Sequence, residues 1–263
     1  MGKNSSELEK RIQNEKDAHD VDDVLRKSYQ LKKFFFHILE TPARKDLDNM
    51  FVDLYKNKNL QNIRVLDFGC GEGETSFKFI KSGAVIDGID ISEVNIQRAN
   101  SISREKNVNE NIKFHVMDAH NLDFEDNSFD LVFGEGILHH LDIYKAVGEI
   151  NRVLKPNGRA VFMEPLGNNP LLKIFRLFTS YTRTPDERPL YKKDILKINS
   201  AFSKSSNKYF GIITTPVAMF TSLILRKFPN NFLIKIAYFF EKKINKVNFF
   251  KYFNQYVVFD LRK

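Results

Sequence analysis

The chain has 263 residues, of which 42% are hydrophobic and 28% charged, a composition ordinary for a globular protein. That length suffices for one large α/β domain, or for a domain with a sizeable insertion. The single cysteine, Cys70, excludes an intramolecular disulfide framework and a cysteine-based zinc site, and it favours a reducing cytoplasm. The charged segment 1–20 does not resemble a secretory signal, and the longest apolar stretch, 216–225, is too short to span a membrane.

The net charge of +8 is divided unevenly along the chain. Residues 1–164 carry 23 Lys and Arg against 28 Asp and Glu, a net charge of −5. Residues 165–263 carry 18 against 5, a net charge of +13, together with 19 of the 34 aromatic residues. This distribution indicates two parts with different partners, or alternatively a solvated basic surface over an aromatic core.

The first two-thirds of the chain show two kinds of periodicity. Segment 1–59 is predicted to be helical, because apolar residues recur at helical spacing before Thr41-Pro42 and again over about 43–55. From 63 to 165, short apolar runs alternate with helical segments, which predicts a parallel sheet covered by helices on both faces. The predicted strands are 64–67, 85–90, 112–117, 130–133 and 159–164, and the predicted helices are about 74–81, 92–106 and 142–154.

After Pro165 the pattern is less regular. The predicted elements there are a helix at about 171–179, a loop at 183–189 with two prolines, a strand at 208–213, aromatic-rich helices within 216–246 and a last strand at 256–261.

The strand that ends at Asp67 runs directly into Gly69-Cys70-Gly71-Glu72-Gly73 and then into a helix. Closely spaced glycines let the backbone turn sharply and let a ligand approach, and the following helix N-terminus presents unpaired N–H groups. A dinucleotide site requires G-x-G-x-x-G. Here the third position is Glu74 when counted from Gly69 and Ser76 when counted from Gly71, so the dinucleotide pattern does not fit.

An acidic residue followed by G-x-G-x-G resembles the first motif of the class I, Rossmann-like, S-adenosylmethionine-dependent methyltransferases. Four further segments resemble that family in order and at normal spacing over residues 63–165. They are Asp90 at the end of the second strand, Val116-Met117-Asp118-Ala119, the run from Ser128 to Gly136, and the run from Ile150 to Gly158. The later segments Glu164–Pro170 and Arg183–Pro189 look like a bacterial small-molecule subgroup of that family.

The resemblance implies a seven-stranded, mostly parallel sheet with helices on both faces. An N-terminal helical lid at 1–59 would precede the S-adenosylmethionine-binding core at 60–165. A basic, aromatic acceptor-specificity region at 166–263 would contain a helical insertion before the last strand and complete the sheet. S-adenosylmethionine is then the cofactor and S-adenosylhomocysteine the product.

The resemblance also assigns the cofactor-binding residues. Asp67 is expected near the amino acid end of the cofactor, Asp90 at the ribose hydroxyls, and Asp118 with Ala119 beside the adenine. A ligand-free strand–helix connection, a surface turn at Asp90 and a helix N-cap at Asp118 are the alternatives. The full predicted set is Asp67, Gly69, Cys70, Gly71, Gly73, Asp90, Ile91, Asp118, Ala119, Gly134 and Glu135.

Methyl transfer from a sulfonium is an in-line displacement that depends on holding donor and acceptor in near-attack geometry. A base is needed only where the acceptor must lose a proton, and histidine is the usual one. His139 and His140 follow the fourth strand, so they are the candidate catalytic residues. Alternatively, one of the pair packs against the cofactor or caps a backbone carbonyl.

The acceptor is expected to contact the variable regions. The predicted substrate-binding residues are Tyr29, Glu164, Arg183 and Arg188, the two arginines acting with Lys192 and Lys193 as a clamp for a phosphate or carboxylate. A rim contact or helix cap is the alternative for Glu164, and an exposed basic loop for the arginines. No cluster has metal-ligand spacing, so no metal is predicted.

Four functions remain open from the sequence. The leading one is O-methylation of a small, anionic or phosphorylated metabolite in the cytoplasm, for instance in surface-polysaccharide modification such as O-methyl phosphoramidate formation. The second is methylation of a lipid or isoprenoid at a membrane surface, because segment 216–246 mixes Phe, Leu and Ile with lysines. A nucleic-acid methyltransferase lacks a base-flipping motif after the fourth strand, and a non-catalytic cofactor-binding protein is the fourth.

Overall fold

A seven-stranded sheet forms the centre of the protein in a computed structural model that describes residues 10, 13, 14, 16, 30, 31, 33–56, 58–179 and 187–263. The strands are β1 Arg64–Phe68, β2 Val85–Asp90, β3 Ile112–Val116, β4 Phe129–Glu135, β5 Leu154–Pro165, β6 Lys204–Phe210 and β7 Tyr256–Arg262. Their order is β3-β2-β1-β4-β5-β7-β6. Strand β7 pairs antiparallel with both of its neighbours, while the pairs among β1 to β5 are parallel.

Helices connect the strands. They are α1 His37–Glu40, α2 Pro42–Tyr55, α3 Ser76–Ile80, α4 Glu93–Glu105, α5 Ile143–Val153, α6 Pro170–Phe178, α7 Lys192–Ser200, α8 Thr214–Ile224 and α9 Phe232–Ile244. Short 3-10 helices span Leu138–His140 and Phe250–Phe253.

The sheet is apolar on both faces because its strands are buried on both sides. On one face Leu66 and Phe68 of β1 belong to a cluster with the buried sides of α5 and α7. On the other face Val65 belongs to a cluster with α2, α3 and α4. The predicted seven-stranded, mostly parallel sheet with helices on both faces is therefore confirmed.

Polar side chains fix where several helices begin at the carboxyl end of the sheet. The Ser92 hydroxyl accepts from the backbone N–H of Asn95 at the start of α4. Asp142 caps α5 and Asn169 caps α6 in the same way. The loops after β2 and β4 lie on either side of the end of β1, where the strand order reverses between β1 and β4. Open α/β sheets bind ligands in such a crevice.

The predicted N-terminal lid includes a helix that also belongs to the core. Helix α2 buries Leu47, Phe51 and Leu54 against the sheet. His37 is also buried, where its Nδ1 lies 2.9 Å from the Thr221 hydroxyl of α8. The earlier part of the predicted lid lies largely outside the described residues.

Two predictions after β5 were wrong. Strand β6 begins at Lys204 and ends at Phe210, not 208–213, because its polar sequence KSSNKYF is that of an exposed edge strand. Helix α7 was not predicted, since only Ile195 and Ile198 give it an apolar stripe, and they pack on the cluster around α5.

Candidate functional site

The glycine turn after β1 is open on one side only. Gly69, Gly71 and Gly73 have positive φ angles of 80°, 51° and 80°. A Cβ on Gly69 would lie 2.7 Å from the Ile137 side chain, and one on Gly73 would lie 2.5 Å from the Phe114 ring. A Cβ on Gly71 would meet nothing within 4 Å. The turn is therefore packed from behind and has free space at Gly71, which fits a predicted ligand cradle.

Asp67 lies under this turn and is 4% exposed. The Ser76 hydroxyl, at the start of α3, donates to its Oδ2 at 2.6 Å. Burial raises the pKa of Asp67 to about 7, against the lowering effect of that hydrogen bond, and the nearby Glu135 and Asp90 raise it further. A cationic group above the turn would favour the ionised form of Asp67.

Asp90 ends β2 and holds the turn from the side. Its Oδ2 accepts from the backbone N–H of Gly71 at 2.9 Å, and its Oδ1 accepts from that of Ser92 at the same distance. Each carboxylate oxygen retains a second lone pair, so the side chain can still accept from two hydroxyl groups. Cys70 and Ile91 are half-buried beside it.

Asp118 closes the cradle at the end of β3. Its Oδ1 accepts from the backbone N–H of His120 at 2.9 Å and lies 2.7 Å from His120 Nδ1. Burial alone would raise the pKa of Asp118, but the hydrogen bonds from His120 hold that pKa below its usual value. His120 Nε2 accepts from the backbone N–H of Asp142, and Ala119 packs on the core. This loop is thereby tied to the start of α5, a link that the sequence alone did not show.

Gly134 and Glu135 end β4 at the opposite side of the turn. A Cβ on Gly134 would lie 2.7 Å from both the Phe162 ring and the Phe68 carbonyl, so only glycine fits. Glu135 accepts from the Thr75 hydroxyl at 3.1 Å. It lines a cavity of about 340 Å³ together with Arg44, Asp48 and Lys78. Arg44 and Asp48 of α2 were not predicted, because their spacing is that of any solvated helix face.

The predicted catalytic pair follows in the 3-10 helix. His139 is 7% exposed, and its Nδ1 lies 2.7 Å from Glu164 Oε2. Glu164 is 0% exposed, and it also accepts from the backbone N–H groups of Ile137, Leu138 and His139 at 2.8 to 3.3 Å. An ionised Glu164 places the imidazole proton on Nδ1 and leaves a lone pair on Nε2.

Glu164 therefore does not have its predicted position as an acceptor contact. Its two oxygens are occupied by four N–H groups, and no part of it reaches the surface. It caps the 3-10 helix, which was the alternative raised from the sequence, and it orients His139 in addition. Sequence reasoning missed the pairing because the two residues belong to different strand ends.

Glu187 joins the histidine pair from the loop before α7. Its Oε1 lies 3.8 Å from His139 Nε2. Ligand atoms of His139, His140 and Glu187 lie within 4.8 Å of one another, a spacing compatible with a metal ion. The sequence did not place an acidic residue here, so the prediction of no metal stays untested.

The predicted acceptor clamp is only partly described, since Tyr29 and Arg183 lie outside the described residues. Arg188 donates from both terminal nitrogens to the two oxygens of Asp194, at 2.8 and 3.1 Å. This ion pair supports the first turn of α7, so Arg188 is not a free clamp. A second cavity of about 590 Å³ is lined by Asn168, Lys192, Lys251 and aromatic residues of the Phe250–Phe253 segment.

Comparison with known proteins agrees with this geometry. A family described as "Methyltransferase domain" matches residues 59–204. The 27-O-demethylrifamycin SV methyltransferase of Amycolatopsis mediterranei is 38% identical over 98 residues, 36% of each protein. The demethylmenaquinone methyltransferase of Staphylococcus aureus is 34% identical over 155 residues, 57% of this chain and 58% of that protein.

The fold agrees as well. The structure of phosphoethanolamine N-methyltransferase 2 of Haemonchus contortus with S-adenosyl-L-methionine superposes with a TM-score of 0.60 at 20% identity. That similarity covers 87% of this chain and 56% of the other. The chain thus matches between about a third and three-fifths of the length of these relatives. In the described part of the chain, no helix combines the length and apolarity needed to cross a membrane.

Proposed function

This chain belongs to the Methyltransferase domain family, whose members of class I use S-adenosylmethionine, and on that premise we propose that it methylates a hydroxyl oxygen of a small molecule. His139 is the base that takes the proton of that hydroxyl. The observation that carries the proposal is the buried Glu164–His139 pair at the carboxyl end of the sheet.

The cofactor fits the cradle around Gly71. S-adenosylmethionine supplies an electrophilic methyl group on a sulfonium when bound. The open face of Gly71 would leave room for the cofactor, Asp90 would accept from its ribose hydroxyls, and Asp118 with Ala119 would lie at its adenine. Asp67, beneath the turn, would meet the cofactor's ammonium group, whose positive charge would favour the ionised carboxylate.

Oxygen is favoured over nitrogen by the tautomer of His139. A hydroxyl must lose its proton as the methyl group arrives, whereas an uncharged amine attacks without help. His139 Nε2 would take the hydroxyl proton, and S-adenosylmethionine, when bound, would supply the methyl group and leave as S-adenosylhomocysteine. Glu164 stabilises the imidazolium that results.

The proposed base is tested by turnover with S-adenosylmethionine and a panel of hydroxylated acceptors, followed as a 14-dalton mass gain. We expect His139→Ala to lower kcat by about a hundred-fold or more. His140→Ala is the matched control, and we expect less than about a ten-fold change. Equal activity of wild type and His139→Ala would exclude the base.

The same assay separates a base from a metal ligand. Because His139, His140 and Glu187 have compatible spacing, a bound cation would occupy Nε2 and remove the base. We expect activity to survive extensive treatment with EDTA. Loss of activity that zinc or another divalent ion restores would replace the base with metal-assisted transfer.

For the acceptor, we propose the anionic or phosphorylated metabolite that the charge distribution predicts, with surface-polysaccharide modification as one such role. Its support is the cavity lined by Lys192 and Lys251, at the loop that follows β5. We expect Lys192→Ala to raise KM for a phosphorylated acceptor by about ten-fold, since it removes one charge-assisted contact. Lys193→Ala, one residue away and exposed, is the control; equal effects of both would exclude this cavity.

A lipid or isoprenoid acceptor is the second candidate. Its support is the exposed apolar surface of the helices after β5. Both candidates belong in one panel, in which each acceptor class is presented with and without its phosphate group. Turnover of the unphosphorylated lipid alone would favour the second candidate.

A further inference from the structure

Helix α8 has the reverse of the burial pattern usual for a surface helix. Its buried residues are small or polar, namely Thr214, Thr215, Ala218, Thr221 and Ser222. Its large apolar residues Phe220, Leu223 and Ile224 are each more than half exposed. A surface helix of a globular protein normally turns its apolar stripe inward. Among the residues that the structure describes, the outward stripe therefore lacks the cover that such side chains usually have.

Helix α9 also exposes large apolar side chains, and a buried carboxylate fixes its orientation. It buries Ile234, Ala237 and Glu241. Glu241 is 2% exposed and accepts from the backbone N–H groups of Gly211, Ile213 and Thr214, at the start of α8. This fixed orientation leaves Phe232, Ile236 and Phe239 pointing outward, at least half exposed.

Helix α6 extends the surface. It buries Leu172 and exposes Leu171, Ile174, Leu177 and Phe178, the last at 76%. The Phe175 ring meets Phe35 edge-on, with centroids 5.2 Å apart, and Phe35 meets Phe34 in turn. Phe34 lies under the Arg226 guanidinium, just beyond the end of α8. Helix α8 packs on α9, and the contacts of Phe175, Phe35, Phe34 and Arg226 link α6 to the end of α8. The outward apolar sides of α6, α8 and α9 are called the apolar face below.

The exposed charged residues of segment 214–251, which contains α8 and α9, have one sign. Segment 214–251 contains seven basic residues: Arg226, Lys227, Lys235, Lys242, Lys243, Lys246 and Lys251. The acidic residue of this segment, Glu241, is buried, and its carboxylate accepts hydrogen bonds at the start of α8. The Lys243 ammonium lies 4.2 Å from the centroid of the exposed Phe239 ring, so cation and aromatic side chain share one surface.

The mixture of apolar and basic side chains indicates what kind of partner covers the apolar face. Exposed Phe and Leu side chains interleaved with lysines are typical of helices that lie in a membrane interface. Anionic headgroups attract such lysines, which can place their alkyl chains beside the apolar side chains. A second copy of this chain would instead bring the seven basic residues against one another.

We propose that the apolar face of α6, α8 and α9 docks the protein onto an anionic lipid bilayer. The helices lie along the surface, their Phe and Leu side chains enter the boundary between headgroups and acyl chains, and the lysines contact headgroup phosphates. This docking does not depend on methyl transfer, so its failure would leave the proposed reaction untouched.

The test is sedimentation of the full chain with vesicles of phosphatidylcholine alone or with about one-third phosphatidylglycerol. We expect binding to the anionic vesicles to exceed binding to the neutral ones by at least about ten-fold, and to fall in about 0.5 M NaCl. The double variant Leu223→Gln/Phe239→Gln should lose at least about ten-fold in binding. Leu196→Gln on α7, exposed to 52%, is the matched control and should bind as wild type.

Thermal melts of the variants verify that they remain folded, since exposed substitutions leave stability nearly unchanged. Equal binding to both vesicle types, or no loss in the double variant, would overturn the proposal. So would a concentration-dependent dimer, seen by light scattering, that the double variant disperses, because the face would then pair with a second copy.

Discussion

At the scale of single residues, the structure gives Glu164 and His139 a joint role that neither has alone. The buried carboxylate accepts from three backbone N–H groups and from His139 Nδ1, so it fixes both the helix and the tautomer. A carboxylate that orients a histidine in this way is a positioning residue, because it never touches the reacting atoms.

Glu164→Gln tests that positioning. The amide oxygen still accepts from the 3-10 helix, but the amide N–H must face His139 Nδ1, which moves the ring proton to Nε2 and removes the base. We expect kcat to fall by about a hundred-fold with little change in KM, and a small loss of thermal stability because the His139 backbone N–H loses its acceptor. Glu164→Asp, which keeps the charge, should recover part of the loss. A kcat for Glu164→Gln within a few-fold of wild type would contradict this role.

Asp67 provides a second prediction, on how stability depends on pH, and its burial determines the direction of that dependence. Its pKa rises from 3.8 to about 7 in the folded chain, so folding favours the protonated form. That contribution to stability is fully present below about pH 3.8 and is lost as the pH rises through about 7. The uncharged variant Asp67→Asn should therefore melt at a higher temperature than wild type at pH 8, with a smaller difference at pH 6.

The same substitution, Asp67→Asn, should lower the affinity for S-adenosylmethionine. Ionised Asp67 attracts the cofactor's ammonium, so wild-type affinity for S-adenosylmethionine should increase as the pH rises through about 7. Calorimetry on Asp67→Asn should give lower affinity at pH 8 and a flat pH dependence. A pH-independent affinity in the wild type would show that Asp67 does not sense the ligand's charge.

At the scale of elements, the sequence predicted those strands and helices whose position depends on neighbouring residues in the chain. Strands β1 to β4 are short apolar runs whose ends carry ordered motifs, so they were recognised to within two residues at each end. Strand β5 begins at Leu154, five residues before the predicted 159, so its first part was missed. Strand β6 was misplaced because an exposed edge has no apolar alternation. Arg188 was misassigned because its partner Asp194 sits at the start of α7, a helix with too few apolar residues to be predicted.

Long-range pairs were out of reach for the same reason. Glu164 and His139 meet because β4 and β5 are neighbours with their carboxyl ends aligned. Glu187 approaches His139 from a loop that the Leu190–Leu166 bridge holds beside the end of β5. Nothing local to any of these residues indicates the pairing. The predicted cofactor cradle, in contrast, is formed by short loops after β1, β2 and β3, so each of its residues follows a local motif.

Glu241 provides a prediction at this scale. It joins α9 to the start of α8 by four hydrogen bonds at a site that excludes water. Glu241→Ala would leave those donors buried without an acceptor, and we expect a loss of about 3 kcal/mol in the free energy of unfolding by urea. Glu74→Ala, which removes an exposed ion pair with Lys78, is the control and should change it by less than about 0.5 kcal/mol. Equal losses for the two variants would show that Glu241 does not organise the C-terminal helices.

At the scale of the whole molecule, the acidic and basic halves have separate tasks. The cradle and the His139 site lie on the acidic body, where β1 to β5 end. The basic, aromatic region completes the sheet with β6 and β7 and adds helices with outward apolar sides. Our proposals thus assign donor binding to the acidic body and contact with a surface or acceptor to the basic region.

The central claim is that the turn at Gly71 and the carboxylate of Asp90 bind S-adenosylmethionine. Titration calorimetry with S-adenosylhomocysteine, with NAD as the competing candidate, tests it most directly. The account predicts saturable one-to-one binding of S-adenosylhomocysteine that Asp90→Ala weakens by at least about ten-fold, as loss of two ribose hydrogen bonds requires. Saturable binding of NAD with no response to S-adenosylhomocysteine would contradict the account.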